Sequence, residues 1–258
     1  MRLRHVLAAA ALCAAPLAAT PARAAAQTVA EHVAAGDKEH LTNPTAALKH
    51  YEAALAAGPR DYAALWKASI AAVDAGEATE DAGRRKELYK QGEAYARTAV
   101  EVNPNDAEGH FALARALGRT AQSLGSRDRV KYAGEVRAHA LDALKYNPRH
   151  AGALHVMGVW NAEVMRLNGM SRFMAKNFLG GKVFNEANWK NAQQYMEQAV
   201  QAEPNRLVHR LDLAEIYADV GDKAKAREQL DFVLKAPAVE ANDAKYKRQA
   251  EELSRRVK

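Results

Sequence analysis

The sequence predicts an all-α helical solenoid of about ten to eleven helices. Three observations carry that expectation: a helix-ending phrase that returns four times, apolar residues at helical spacing ahead of each return, and no stretch of convincing strand alternation. The phrase is a small residue five places before a proline, in Ala54-Leu-Ala-Ala-Gly-Pro59, Ala99-Val-Glu-Val-Asn-Pro104, Ala143-Leu-Lys-Tyr-Asn-Pro148 and Ala199-Val-Gln-Ala-Glu-Pro204. Proline lacks an amide hydrogen and its ring collides with the preceding turn, so it stops one helix where the next can start. The alanine marks the level at which a neighbouring helix has to come close. Ahead of the endings, Leu48, Tyr51, Ala54 and Leu55, then Tyr95, Ala96 and Ala99, then Ala140, Ala143 and Leu144 recur at helical spacing, the stripe that a helix buries.

The last repeat is the clearest. Leu213-Ala214-Glu-Ile-Tyr217, Gly221-Asp-Lys-Ala224, Ala226, Leu230 and Val233 stand where the 34-residue tetratricopeptide pattern puts its interhelical packing positions, with Gly221 at the turn. The earlier units are enlarged: the prolines are 45, 44 and 56 residues apart, so each unit holds about 10 to 22 extra residues relative to that period. Because the endings are intact, the extra length falls between the first and second helix of each pair. Glu77 to Lys90 and Gly118 to Lys131 read as longer helices with a wider turn, and Leu167 to Asn188 as an added helix and a loop with Gly180-Gly181. A helical hairpin alone cannot bury enough surface to offset its ordering entropy, so the array needs atypical ends. Tyr246, Ala250, Leu253 and Val257 form a narrow apolar stripe on a charged final helix, a capping helix that includes 249–258. Val29 to Asp37 and Thr45 to Ala57 read as a short first helix and its docking partner.

Residues 1–26 read as a leader. Arg2 and Arg4 precede the apolar run Val6 to Ala19, and Ala22-Arg23-Ala24 or Ala24-Ala25-Ala26 offers a cleavage site. The run is shorter than the roughly 18–20 residues of a membrane span, which predicts an exported, soluble chain, periplasmic or extracellular, with one helical-repeat domain over 27–258. Lipid attachment at Cys13 fits poorly, because Ala10-Ala11-Leu12 has its leucine in the wrong place. Without Arg2, Arg4 and Arg23 the 37 basic residues become 34 against 31 acidic ones, so the net charge falls from +6 to +3. Charge of that size, mixed with acids along helices, does not point to nucleic acid. Cys13 is the only cysteine, so the mature chain has no disulfide, catalytic thiol or cysteine-based metal site.

Little else carries chemistry. His32, His40, His50, His110, His139, His150, His155 and His209 include no His-Glu-x-x-His spacing, and His150 and His155 are about 140° apart around a helix, so no metal and no cofactor is expected. Met157, Met165, Met170 and Met174 crowd one region with Phe173 and Phe178. Such a group serves a soft-metal site or an adaptable patch, but interleaved phenylalanines favour an irregular core where the insertion packs. Gly180-Gly181 has no phosphate-loop context, and no Gly-x-Ser-x-Gly elbow is present. An enzyme is not expected.

Several stretches together resemble a known family. His155-Val-Met-Gly158-Val-Trp160, Arg172-Phe-Met-Ala175, Gly180-Gly181, the Tyr195…Ala199…Pro204 ending, Leu213-Ala214…Tyr217…Gly221-Asp222 and Leu234-Lys-Ala-Pro237 followed by Asp243 are similar to the regulator of microtubule dynamics family and its bacterial relatives, over roughly 45–257. The resemblance implies a helical-repeat fold without known catalytic residues, here in an exported bacterial relative. Animal members associate with microtubules and mitochondria; an exported chain would not meet tubulin, so the implied fold transfers and the cellular role does not.

A solenoid offers its concave wall, built from the first helix of every pair. Counted from the proline endings, the inward positions are Trp66, Ile70 and Asp74; Phe111, Arg115 and Arg119; His155, Val159 and Glu163; and Leu211, Glu215 and Asp219. A bulky row flanked by charges suits an extended peptide or a helix. Trp66, Phe111 and Trp160 read equally as core. The expected function is a non-catalytic scaffold whose groove binds a protein or peptide, the alternative being a self-associating structural component of the cell envelope.

Overall fold

The computed structural model describes residues 21–122, 124, 126–167 and 181–257, and among them every regular element is helical. Eleven α-helices follow in order: α1 Pro21–Glu39, α2 Pro44–Ala57, α3 Tyr62–Ala78, α4 Ala82–Val102, α5 Ala107–Gln122, α6 Ser126–Tyr146, α7 Ala151–Arg166, α8 Trp189–Ala202, α9 Leu207–Asp219, α10 Lys223–Lys235 and α11 Asp243–Arg256. A 3₁₀ turn, Gly181–Glu186, precedes α8. Consecutive helices pack as hairpins, and α3, α5, α7 and α9 pack successively against one another as the inner layer. The chain is an all-α tetratricopeptide-like solenoid.

The recurring phrase explains the pairing. Ala54, Ala99, Ala143 and Ala199 are all fully buried, which lets neighbouring backbones approach at the short end of the 8–10 Å range. Each also ends its helix: its carbonyl accepts the amide of Gly58, Asn103, Asn147 or Glu203 at 2.8, 2.9, 2.8 and 2.9 Å. The next residue is the proline, which presets a turn closed by the amides of Asp61, His150 and Arg206 onto Gly58, Asn147 and Glu203 at 3.0, 3.0 and 3.2 Å. Those three residues are the N-caps of α3, α7 and α9. Asp61 Oδ1 accepts from Ala64 N at 2.8 Å, and His150 Nδ1 accepts from Ala153 N at 3.1 Å, which satisfies an amide with no partner inside the helix. One six-residue phrase thus holds a close contact, a stop and the approach to the next start. At Gly221 (φ +84°) the amides of Gly221 and Asp222 reach Ala218 and Tyr217 at 3.1 and 2.8 Å, a left-handed helix end that glycine adopts without Cβ strain.

The extra length of the early units differs from expectation. No wide turn separates α3 from α4: residues 79–81 link them, and Asp81 Oδ1 caps α4 by accepting from Gly83 and Arg84 at 2.8 and 3.0 Å. The added residues are helical, 17 in α3 and 21 in α4 against 13 in each of α9 and α10. A continued helix satisfies each added backbone group internally, which a longer loop does not. Helices α5 and α6, of 16 and 21 residues, repeat the solution. The third insertion lies largely at 168–180, outside the described residues, with Met170, Phe173, Met174 and Phe178. On its far side the 3₁₀ turn stacks Phe184 on Trp160, ring centroids 5.9 Å apart, and Met157 is buried with Ala114 and Ala140. At the N-terminal end α1 has 19 residues and begins at Pro21, well before the short helix expected from Val29.

The C-terminal end also departs from a simple cap. Tyr246, Ala250, Leu253 and Val257 are buried in the cluster that holds α8, α9 and α10 together, as a capping stripe requires. Yet the stretch of chain entering α11 also reaches the first units. Ala241 N donates to Leu41 O at 2.8 Å, Asn242 Nδ2 to Asp74 O at 3.3 Å, and Lys245 Nζ to Glu77 O at 3.3 Å. The superhelix therefore closes on itself, and its concave face becomes an interior.

Candidate binding cavity

A cavity of about 590 Å³ lies inside the closed array, walled by α3, α5, α7 and the start of α9, and roofed by Glu240–Tyr246. Trp66, Ile70, Phe111, Arg115, Arg119, His155 and Glu163 line it, together with Asp74 and Val159. Leu211 and Glu215 do not. Leu211 is 2% exposed and joins the core cluster of Tyr246, Ala250 and Leu253. The segment entering α11 covers that face of α9, so Val208, His209 and Asp212 supply the lining instead. Glu215 and Asp219 turn to Arg166, whose Nη2 lies 3.4 Å from Glu215 Oε2 and 2.6 Å from Asp219 Oδ2.

The aromatic row divides. Trp160 belongs to the core although it also borders the cavity: it is 5% exposed, its indole N–H donates to Ala133 O at 2.8 Å, and it stacks on Phe184. Trp66 and Phe111 are partly buried and present faces to the cavity. Phe111 tilts against His150 with ring centroids 4.5 Å apart, and a Cβ at Gly152 would fall 2.4 Å from its ring. The glycine is what lets the ring lie there.

Charge is paired around the roof. Glu77 is buried, with Oε1 2.5 Å from Arg119 Nε and Oε2 3.5 Å from Arg115 Nη2, and Tyr246 donates its hydroxyl to Oε2 at 3.0 Å. Arg115 also reaches Asp74 Oδ1 at 2.5 Å. Burial alone would raise the Glu77 pKa, but the two guanidinium groups and the phenol outweigh it and hold the carboxyl at about 2. At the other end His209 is pushed down to about 4, chiefly by burial, against the hydrogen bond to Glu203 that raises it. Glu203 is lowered to about 2 by that same bond from His209 Nε2 (3.1 Å), against burial, with help from Arg206. Three buried atoms among the lining side chains, His40 Nδ1, His209 Nδ1 and Arg206 Nε, have no protein partner.

Glu77, Tyr246 and the roof segment were not among the inward positions read from the sequence. A signal for Glu77 was present: it sits one turn beyond Asp74 on the same face, opposite arginines four apart at the matching level of α5. Nothing in the local pattern announces that residues 240–246 return to meet it.

Residues 27–258 match the model of the family described as Regulator of microtubule dynamics protein 1-3. The chain belongs to that family. Bovine regulator of microtubule dynamics protein 3 is 24% identical over 194 residues, covering 73% of this chain and 40% of the relative. Bovine protein 1 is 25% identical over 193 residues, covering 74% and 60%. The chain thus spans about two fifths to three fifths of the length of these curated relatives. A solved tetratricopeptide-repeat protein of Thermus thermophilus superposes with a TM-score of 0.54 at 21% identity, over 90% of this family member and 97% of the other chain. That likeness concerns the fold.

Two stability measurements follow from this electrostatic arrangement. Glu77→Ala leaves the partly buried Arg119 without its carboxylate and Arg115 with Asp74 alone, and is expected to lower unfolding stability by about 3 kcal/mol in denaturant titration, against about 1 kcal/mol for Tyr246→Phe. Glu215 has its pKa raised to about 7, by burial first and then by Asp212, with Arg166 opposing. A carboxyl raised in the folded state favours folding while protonated and loses that advantage as pH rises from its unfolded value near 4.5 to about 7. Glu215→Gln is therefore expected to raise the thermal midpoint by an amount that is small at pH 4, grows through that window and levels off above it.

Proposed function

We propose that this chain is a non-catalytic scaffold that binds a protein or peptide by taking a projecting segment of its partner into the cavity. The observation that carries the reading is the lining itself: apolar faces of Trp66, Ile70 and Phe111 stand beside buried polar atoms that lack a protein partner. Buried donors and acceptors of that kind are costly unless something satisfies them. A segment with an apolar body and a polar end meets both demands. The charged groups favour holding over chemistry. Glu77, Glu203 and His209 are moved away from neutrality, whereas a general acid or base works best near the operating pH.

One observation favours a second occupant. A cavity of about 590 Å³ falls within the roughly 300–1,000 Å³ of small-molecule sites, so an amphipathic small molecule of matching polarity fits the same walls. A photo-crosslinking residue at position 111, with another at the exposed position 86 as control, separates the readings. In cells of origin, covalent protein adducts from 111 that disappear on Trp66→Ala support the partner segment. A mass increment on the purified chain by native mass spectrometry, lost in Trp66→Ala, supports the small molecule. Neither signal from 111 above the control overturns the cavity as the site.

We also propose that the chain is exported. Arg2 and Arg4 ahead of a short apolar run support this, as does a family match that starts at 27, and no described helix is long and apolar enough to cross a membrane. Intact-mass analysis of the chain from its own cell envelope should show cleavage near 24–26; an uncleaved chain found only in the cytoplasm contradicts export.

A further inference from the structure

His110, His139 and Asp142 are brought together by the α5–α6 hairpin, away from the cavity. Their ligand atoms all lie within 4.8 Å of one another, although His110 comes from one helix and the other two from the next, which is why no spacing in the sequence shows the set. His139 and Asp142 are three apart on α6, hence on one face. We propose that these three side chains form a binding site for a divalent first-row transition ion of the zinc class.

The geometry carries the argument. His110 Nε2 lies 2.9 Å from the carbonyl of Pro104, and a carbonyl only accepts, so the proton sits on Nε2 and Nδ1 keeps its lone pair. That bare Nδ1 faces His139 Nδ1 at 3.0 Å. Two nitrogens each at about 2.0–2.1 Å from one ion stand roughly 3.0–3.4 Å apart, so the pair needs little movement to share it. Asp142 Oδ2 is 4.0 Å from His110 Nδ1, on a carboxylate whose side chain is 48% exposed; a rotation of that side chain brings it into range. The Pro104 carbonyl plays the outer role usual for a metal-bound imidazole, fixing its tautomer and its plane. That carbonyl belongs to the proline phrase between α4 and α5, so the repeat architecture itself sets the ring. The ring of Tyr146 stacks on His110 at 5.9 Å and confines it further.

Two imidazoles and one carboxylate suit zinc, cobalt or nickel better than calcium or magnesium, which prefer all-oxygen sets. With three protein ligands and an exposed carboxylate, a further coordination position faces solvent. Occupation would tie α5 to α6 and add binding energy to the folded state.

The competing account is a hydrogen bond between the two imidazoles with no ion, and a titration distinguishes them. The full chain without a histidine tag, stripped with a chelator and dialysed, is titrated with Zn²⁺ by calorimetry and with Co²⁺ by visible absorption. The expected result is saturation at one equivalent, a cobalt ligand-field band, and a raised thermal midpoint with Zn²⁺. Affinity should fall at least tenfold in Asp142→Asn and beyond detection in His139→Ala, with helical circular dichroism unchanged. If His139→Ala fails to fold, His139→Gln and the aspartate variant carry the comparison. No saturable uptake, or uptake equal in the wild type and in the variants, overturns the site.

Discussion

Glu77 sits where water does not reach, and an unpaired carboxylate in such a place costs several kcal/mol. Its partners come from two other parts of the chain: Arg115 and Arg119 on α5, and Tyr246 on α11, 169 residues further along. A buried ionic group of this kind is weak evidence for extra stability, since apolar side chains of similar size often do as well. What it does provide is register. Displaced by one helical turn, α11 would leave the carboxylate without the phenol and Asp74 O without Asn242. The closure is thus specific because its alternatives strand charge, and the interior cavity exists only because the closure is specific.

Enclosure changes what the inner helices can offer. In an open solenoid the inward row is a groove that an extended peptide enters from the side. Here the roof from 240 to 246 covers it, so residues that would have met solvent are drawn into polar pairs or into core. Leu211 shows the second fate and Arg115 the first. Trp66 and Phe111 escape both, and Phe111 does so because Gly152 leaves its ring the space. The apolar contact surface is therefore concentrated at the α3, α5 and α7 wall, and the unpartnered histidine and arginine atoms lie around it at His40, Arg206 and His209.

The repeat was legible because its signals are local. A proline stop, a cap two residues later and an alanine at the crossing point are written within six or eight residues, and the stop and the buried alanine hold at all four endings. The inward positions of α3, α5 and α7 follow from the same count. Two features were not fully legible, and the first depends on contacts distant in sequence. The count placed Leu211 and Glu215 inward on α9 by the same rule, but the rule assumes the next element lies alongside as another inner helix, and α11 instead arrives by way of a segment anchored to the α1–α2 connection and α3. The added length of the early units was read as longer helices with a wider turn, because periodicity in charged helices is faint; the longer helices are present and the wide turn is not. The structure makes it helix, since the backbone then needs no outside partner.

Pairing also limits how the cavity can bind. Arg115 and Arg119 are committed to Asp74 and Glu77, and Arg206 to Glu203 and Glu240, so an anionic ligand would have to compete with a carboxylate already paired to each guanidinium. The gain from such an exchange is small, because one buried ion pair is given up for another. Affinity has to come from apolar area on Trp66, Ile70 and Phe111, at about 25 cal/mol per Å² removed from water, and from satisfying the imidazole and guanidinium nitrogens that the fold leaves bare. A ligand's charge would then matter less than its shape and the placing of one or two neutral polar groups. On the proposed reading, the same carboxylates that fasten the ring shut would make its interior selective for an amphipathic guest.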